Sequence, residues 1–106
     1  MVKVPTEIIE IIKQFIIEAK LDNINIQKAI LFGSYAKGTF NEWSDIDLAV
    51  ISDDFAGIRF KDNMLLSDSR LCTNINLETH PFRNEDFTTD NLFVKEILKN
   101  GISISF

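Results

Sequence analysis

The sequence predicts an α/β (α+β) sandwich in which helices flank a small central sheet. Three observations predict it. An amphipathic helical pattern opens the chain, and short apolar strand-like runs then alternate with helical patterns. No repeat, low-complexity tract or Pro/Gly-rich linker divides the whole. With 106 residues the chain is expected to form one domain, 1–106, because separate cores usually need about 100 residues each.

Pro5 and Thr6 open the first helix. Ile8, Ile9, Ile12, Phe15, Ile16 and Ala19 recur in it at the spacing of one buried stripe. Ile11 and Ile17 lie off that stripe and predict cover on a second side. The stretch Leu21 to Asn25 ends the helix, and Lys28-Ala29-Ile30-Leu31-Phe32, bounded by Gly33, reads as a buried strand. Ser34 to Lys37 reads as a single helical turn closed by Gly38, followed by a polar loop, Thr39 to Ser44, that carries Trp43. A second strand is expected over Asp45–Ile51. A helix is expected from Phe60 to Leu71, with Met64, Leu65 and Leu71 inward. Thr73 to Thr79 alternate as a third strand, Ile75, Leu77 and Thr79 on one side and Asn74, Asn76 and Glu78 on the other. Pro81, lacking an N–H, is expected to stop it. Thr89 or Asp90 can cap a last helix through Phe93, Ile97 and Leu98, with Gly101 at its C-terminal cap. Ile102, Ile104 and Phe106 then alternate as a short edge strand.

Composition excludes several classes. The charge is −5, with 25% charged and 45% hydrophobic residues, an ordinary folded composition. No apolar run approaches the ~18 residues of a membrane span, and Glu7 and Glu10 interrupt the N-terminal apolar stretch, so no signal peptide is expected. A single cysteine, Cys72, cannot form an intrachain disulfide; the expectation is a bacterial or archaeal cytoplasmic protein. The acidic balance argues against general affinity for a nucleic-acid backbone. Residues 45–90 carry ten acids against four bases, whereas the rest of the chain is close to neutral. A local acidic excess can be a solvated face, but the spacing within it points to chemistry.

Three features carry that chemistry. Gly33-Ser34 stands at a strand-to-helix junction, where glycine permits a sharp turn and close ligand approach, and helix-start N–H groups with the Ser34 hydroxyl suit an anion. Asp45-Ile46-Asp47 places two carboxylates on one face of a strand. Each opposes ionisation of the other, a conflict that a divalent cation removes. Mg²⁺ takes oxygen ligands and needs only a few carboxylates beside substrate phosphates. Glu78 is the third feature: if strands two and three are neighbours, it sits beside the aspartates. Each feature also has a plain reading, respectively a turn, a solvated strand end and a surface glutamate. A lone His80, before Pro81, reads as structural or surface, and one His with one Cys makes a zinc site unexpected. Tyr35 and Trp43 suit base stacking or ordinary packing.

Gly33-Ser34-Tyr35-Ala36-Lys37-Gly38-Thr39, with Asp45-Ile46-Asp47-Leu48 beginning eleven residues after Ser34, resembles the signature of the DNA polymerase β-type nucleotidyltransferase superfamily. The stretch is similar in particular to the minimal nucleotidyltransferases of prokaryotes, and the likeness extends through Glu78-Thr79-His80-Pro81-Phe82 to the closing Phe93 to Ile104 segment. The resemblance implies a polymerase β-like fold with a small mixed central sheet. It further implies Mg²⁺ (one or two ions) held by Asp45, Asp47 and a third acid, and ATP as nucleotide donor. Gly33 and Ser34 would hold the triphosphate, and Lys37, one turn beyond Ser34, could reach a phosphate or be a plain exposed helix lysine. Ser44 would cap the approach to the strand or bond a metal-bound water. Members often carry an aspartate in the third strand. Here the neighbouring positions are Asn74 and Asn76, so the third carboxylate is assigned to Glu78.

The implied reaction is transfer of AMP to a hydroxyl. With 106 residues there is little room for an acceptor-binding domain, so the acceptor or its site is expected from another protein. The resemblance implies a helical partner of the HEPN class, commonly an RNase toxin that the enzyme neutralises by adenylylating it. A binding subunit without activity and an antibiotic-type nucleotidyltransferase are the alternative readings.

Overall fold

The computed structural model describes residues 3–73 and 76–106. Helix α1, Thr6–Leu21, leads into strand β1, Lys28–Phe32. A single-turn helix α2, Ser34–Lys37, and a polar loop precede β2, Ile46–Ile51. Helix α3, Arg59–Thr73, returns the chain to β3, Leu77–Phe82. A 3₁₀ turn, Asn84–Asp86, then precedes α4, Leu92–Asn100, and a two-residue β4, Ile102–Ser103.

The strand order is β3-β2-β1-β4. Strand β1 runs antiparallel to β2 and β4, whereas β2 and β3 are parallel. A parallel pair needs a crossover, and α3 supplies it. The expected mixed sheet with flanking helices is therefore present. One face, from Ala29, Leu31, Ile46, Leu48, Val50 and Leu77, packs with Ile8, Ile12, Phe15, Ile16 and Ala19 of α1 and Leu66 of α3. The opposite face, from Ile30, Ala49 and Ile51, packs on Ile97 of α4, with Phe32, Phe82 and Phe87 alongside. Central strand β2 is thus covered on both sides, which is why it reads as an almost unbroken apolar run. Asp47 alone interrupts it, half-buried between residues that are fully buried.

Several expectations need correction. Strand β2 begins at Ile46, leaving Asp45 just outside. Helix α3 extends to Thr73, where a strand was expected to start, and β3 begins only at Leu77; Asn74 and Ile75 lie outside the described residues. Pro81 does not end β3, because β3 is an edge strand with one unpaired side that tolerates a missing N–H. Met64, Leu65 and Leu71 point outward. The inward face of α3 carries Asp62, Leu66 and Ser69 instead, at i, i+4 and i+7. Its two polar members are satisfied: the Asp62 carboxylate accepts the N–H groups of Ala56 and Gly57, and Ser69 donates to Asp22. Apolar identity therefore misread which face is inside. Ile11 is half-buried as expected off the α1 stripe, but Ile17 is exposed. Asn91, rather than Thr89 or Asp90, caps α4 by accepting from the Phe93 and Val94 N–H groups. The buried face of α4 is Val94 and Ile97, while Leu98 is exposed.

Candidate active site

The site lies on the α4 side of the sheet, near the start of β2. The parallel register sets Asp47 directly beside Glu78 and sets Ala49 beside His80. Glu78 and His80 are two residues apart on one strand and share a face. The outcome is a group in which one ligand atom each from Asp47, Glu78 and His80 lies within 4.8 Å of the others. Asp47 is half-buried, Glu78 exposed and His80 buried. Neighbouring strands thus bring together two residues distant in the chain, as the sequence required of Glu78 if β2 and β3 were adjacent.

Gly33 forms the wall on the other side. Its φ of +74° with ψ of −148° is a backbone conformation that side-chain-bearing residues rarely adopt. A Cβ at this position would collide with Asp47 Oδ2 and stand 3.2 Å from Asp47 Cγ. Glycine is required here both by the turn and by the carboxylate packed against it. Asp47 is therefore flanked on its Oδ2 side by Gly33 and on its Oδ1 side by His80, whose Nε2 is 3.4 Å away.

Ser34 is half-buried at the first position of α2, beside Gly33, and Lys37 is exposed in the same turn. Gly38 closes that turn in the left-handed conformation, with the Thr39 N–H bonded to the Ser34 carbonyl. Asp45 is exposed ahead of β2 and is not among the three grouped residues. The Ser44 hydroxyl accepts the Asn41 N–H at 2.9 Å, while the Asn41 carboxamide accepts from the Trp43 N–H. Ser44 thus fastens the loop leading into β2. Of the two aromatic candidates, Tyr35 is buried and stacked on Phe40, a packing role, and Trp43 is exposed.

His80 and Arg59 are the residues that sequence reasoning missed. His80 is neither on the surface nor remote from the acids; its Nδ1 accepts from Arg59 Nη2 at 2.7 Å, and its ring meets Phe32 and Phe93 edge-on. The available signal was the Glu78-x-His80 alternation, which puts the imidazole on the face already assigned to Glu78. No comparable pattern marks Arg59, which comes from the start of α3.

Next to His80 a cavity of about 590 Å³ opens between the end of β3, the 3₁₀ turn and the start of α4. Arg59, Phe82, Asn91 and Phe93 help to line it. Arg83, also on its wall, is held by Glu85 and Asp86. The Arg83 hydrogen bond lowers the Asp86 carboxyl below its ordinary range, and that same bond raises the guanidinium.

A mixed sheet with a Gly-Ser turn at the end of one strand, packed against a carboxylate on the next that is itself paired with one on the third, suits a protein of the nucleotide-transferring class. The comparisons narrow this to one family. The family model "Polymerase beta, Nucleotidyltransferase" matches residues 9–105, and the chain belongs to that family. It is a nucleotidyltransferase of the minimal type. The "putative protein adenylyltransferase MJ0141" of Methanocaldococcus jannaschii is 31% identical over 104 residues, covering 92% of this chain and 99% of that protein. A second relative from the same organism, the "putative protein adenylyltransferase MJ0604", is 37% identical over 73 residues, 68% of this chain and 63% of its own length. Among solved structures, "a putative nucleotidyltransferase from Sulfolobus solfataricus" shares the fold with a TM-score of 0.67 at 16% identity, covering 92% of this chain and 78% of its own. A toxin–antitoxin structure with AMP-PNP aligns with a TM-score of 0.54 at 26% identity, over 86% of this chain and 70% of the other.

Proposed function

We propose that this nucleotidyltransferase transfers AMP from ATP, with Mg²⁺, to a hydroxyl of a partner protein, and that the partner is a helical HEPN-type toxin which it neutralises. The observation that carries this reading is the pairing of Asp47 with Glu78, with Gly33 packed against Asp47. Two hard oxygen donors within a few ångströms fit a divalent cation, and Asp45, two residues before Asp47 and exposed, is the third candidate ligand. Bound there, Mg²⁺ would neutralise phosphate charge and favour ionisation of the attacking hydroxyl.

The chain's own residues supply placement. Gly33 and Ser34 receive the triphosphate tail, with Lys37 within reach of its end. The acceptor hydroxyl enters from the His80 side of Asp47, where the cavity opens. Its oxygen forms a bond to the α-phosphorus of ATP as its proton passes to a site carboxylate or to water, the bond from that phosphorus to the bridging oxygen breaks, and pyrophosphate leaves with the electron pair. Holding the two reactants in line on opposite sides of Asp47 is the main contribution of the fold. A protein partner is supported by the outward apolar side chains of α3, Phe60, Met64 and Leu71, with Trp43 exposed on the loop before β2. The toxin–antitoxin likeness and the two relatives described as protein adenylyltransferases support the same choice.

The test is incubation with α-labelled ATP, Mg²⁺ and the product of the adjacent gene, followed by mass analysis. Label on that protein, a mass increase of one AMP, and loss of both in Asp47→Asn are expected. Labelling by Asp47→Asn at the wild-type level would overturn the reading. A binding-only subunit is the second reading, favoured by the exposed position of Asp45 outside the grouped residues. It predicts that Asp45→Asn with Glu78→Gln neutralises the partner as wild type does.

A further inference from the structure

We propose that Arg59 and His80 are positioning residues for Asp47, and that His80 is not itself a metal ligand although it lies among the acids. The inference rests on the reading of Asp47 as a ligand for a divalent cation. Arginine carries only N–H donors, so the 2.7 Å contact from Arg59 Nη2 obliges His80 Nδ1 to offer its lone pair. The ring hydrogen of the neutral imidazole then sits on Nε2, the nitrogen 3.4 Å from Asp47 Oδ1. A nitrogen that bears a hydrogen has no lone pair for a cation; it can only donate to the carboxylate. Such a bond to a ligating carboxylate fixes its orientation and leaves its remaining lone pairs for the metal.

The surroundings are built for that role. His80 is opposite Ala49 in the parallel register, and a methyl group there leaves room for the imidazole to lean along the sheet toward Asp47. Phe32 and Phe93 meet the ring at 4.9 and 5.6 Å between centroids, with interplanar angles of 63° and 71°, and so set its plane. The Arg59 guanidinium in turn lies 6.0 Å from the Phe93 ring centroid. The Nε2···Oδ1 link is the long one of the chain, so it depends on the ring being held in place by the other contacts. Arg59 acts through His80, and His80 through Asp47.

His80 is the only histidine of the chain, so one imidazole appears in a long-range proton–nitrogen correlation spectrum. The metal-free protein is expected to show a protonated Nε2 and an unprotonated Nδ1, and Arg59→Met to show a mixture of tautomers. Binding of Mn²⁺ alone, followed by electron paramagnetic resonance, is the second measurement. Arg59→Met and His80→Leu are expected to lose about 10- to 100-fold in affinity, the usual cost of removing an outer hydrogen bond to a ligand. His80→Gln, whose amide keeps an N–H near the position of Nε2, is expected to retain most of it. A wild-type Nδ1–H tautomer, loss of the Nε2 hydrogen on saturation with Mg²⁺, or unchanged Mn²⁺ affinity in both Arg59→Met and His80→Leu would overturn the proposal. A wild-type chain that binds no Mn²⁺ overturns the metal reading of Asp47 instead, and an Nε2–H tautomer that gives way to a mixture in Arg59→Met would still support the link from Arg59 to His80.

Discussion

Gly33→Ala separates backbone strain from damage to the site. Holding an alanine at φ +74° and ψ −148° costs about 1–3 kcal/mol, because the new Cβ crowds its own backbone. The second consequence is local. The added methyl lands on Asp47 Oδ2, with Asp47 Cγ and Cβ at 3.2 and 3.3 Å. The carboxylate must swing away from Gly33, which disturbs the group it forms with Glu78 and His80. Stabilities of single domains are about 5–15 kcal/mol, so the variant should still fold. Urea unfolding should show the backbone cost, and Mn²⁺ affinity should fall by at least about 10-fold, as when an outer support of a ligand is removed. A double-mutant cycle isolates the contact. In an Asp47→Ala background the Oδ2 and Cγ atoms are gone, and Gly33→Ala should cost less by about 0.5–3 kcal/mol, the usual range for residues in contact. Equal costs in both backgrounds, with Mn²⁺ affinity unchanged by Gly33→Ala alone, would refute the reasoning.

Three further outcomes follow from the packing. Leu66→Ala should destabilise by about 2–5 kcal/mol, since Leu66 is fully buried, whereas exposed Met64→Ala should stay within about 0.5 kcal/mol; denaturant titration compares them. Asn91→Ala removes the acceptor for two helix-start N–H groups of α4 and should cost about 1 kcal/mol, read as a lower melting temperature. Arg83→Gln removes the hydrogen bond and charge that hold the Asp86 carboxyl low and should raise its pKa, seen by carbon-detected titration. Because the folded state holds that carboxyl low, its contribution to stability is present above its unfolded pKa and is lost as pH falls through the folded value. The acid limb of the wild-type stability curve should therefore be the steeper of the two.

Much of this protein was legible from local pattern alone. The α1 stripe, strand β1 and the turn from Gly33 to Gly38 follow from periodicity and from glycine's conformational range, which act within a few residues. The Asp45-x-Asp47 spacing and its distance from Gly33-Ser34 marked the region of the candidate site through their likeness to the polymerase β-type nucleotidyltransferase signature. Helix α3 was misread since its inward face carries Asp62 and Ser69, whose partners, at Ala56, Gly57 and Asp22, lie on other segments. No local rule shows that such polar groups will be satisfied and hence buried.

The pairing of β2 with β3 was decided only in three dimensions. Register is a property of two strands at once, and it alone puts Glu78 against Asp47 and gives His80 a small neighbour in Ala49. The same holds for Arg59, which reaches His80 from the far end of a crossover helix. Sequence determined which groups are candidates for the chemistry, since that is a matter of residue type and short spacing. Tertiary structure decided which of them meet, since that depends on how β2, α3 and β3 pack against one another.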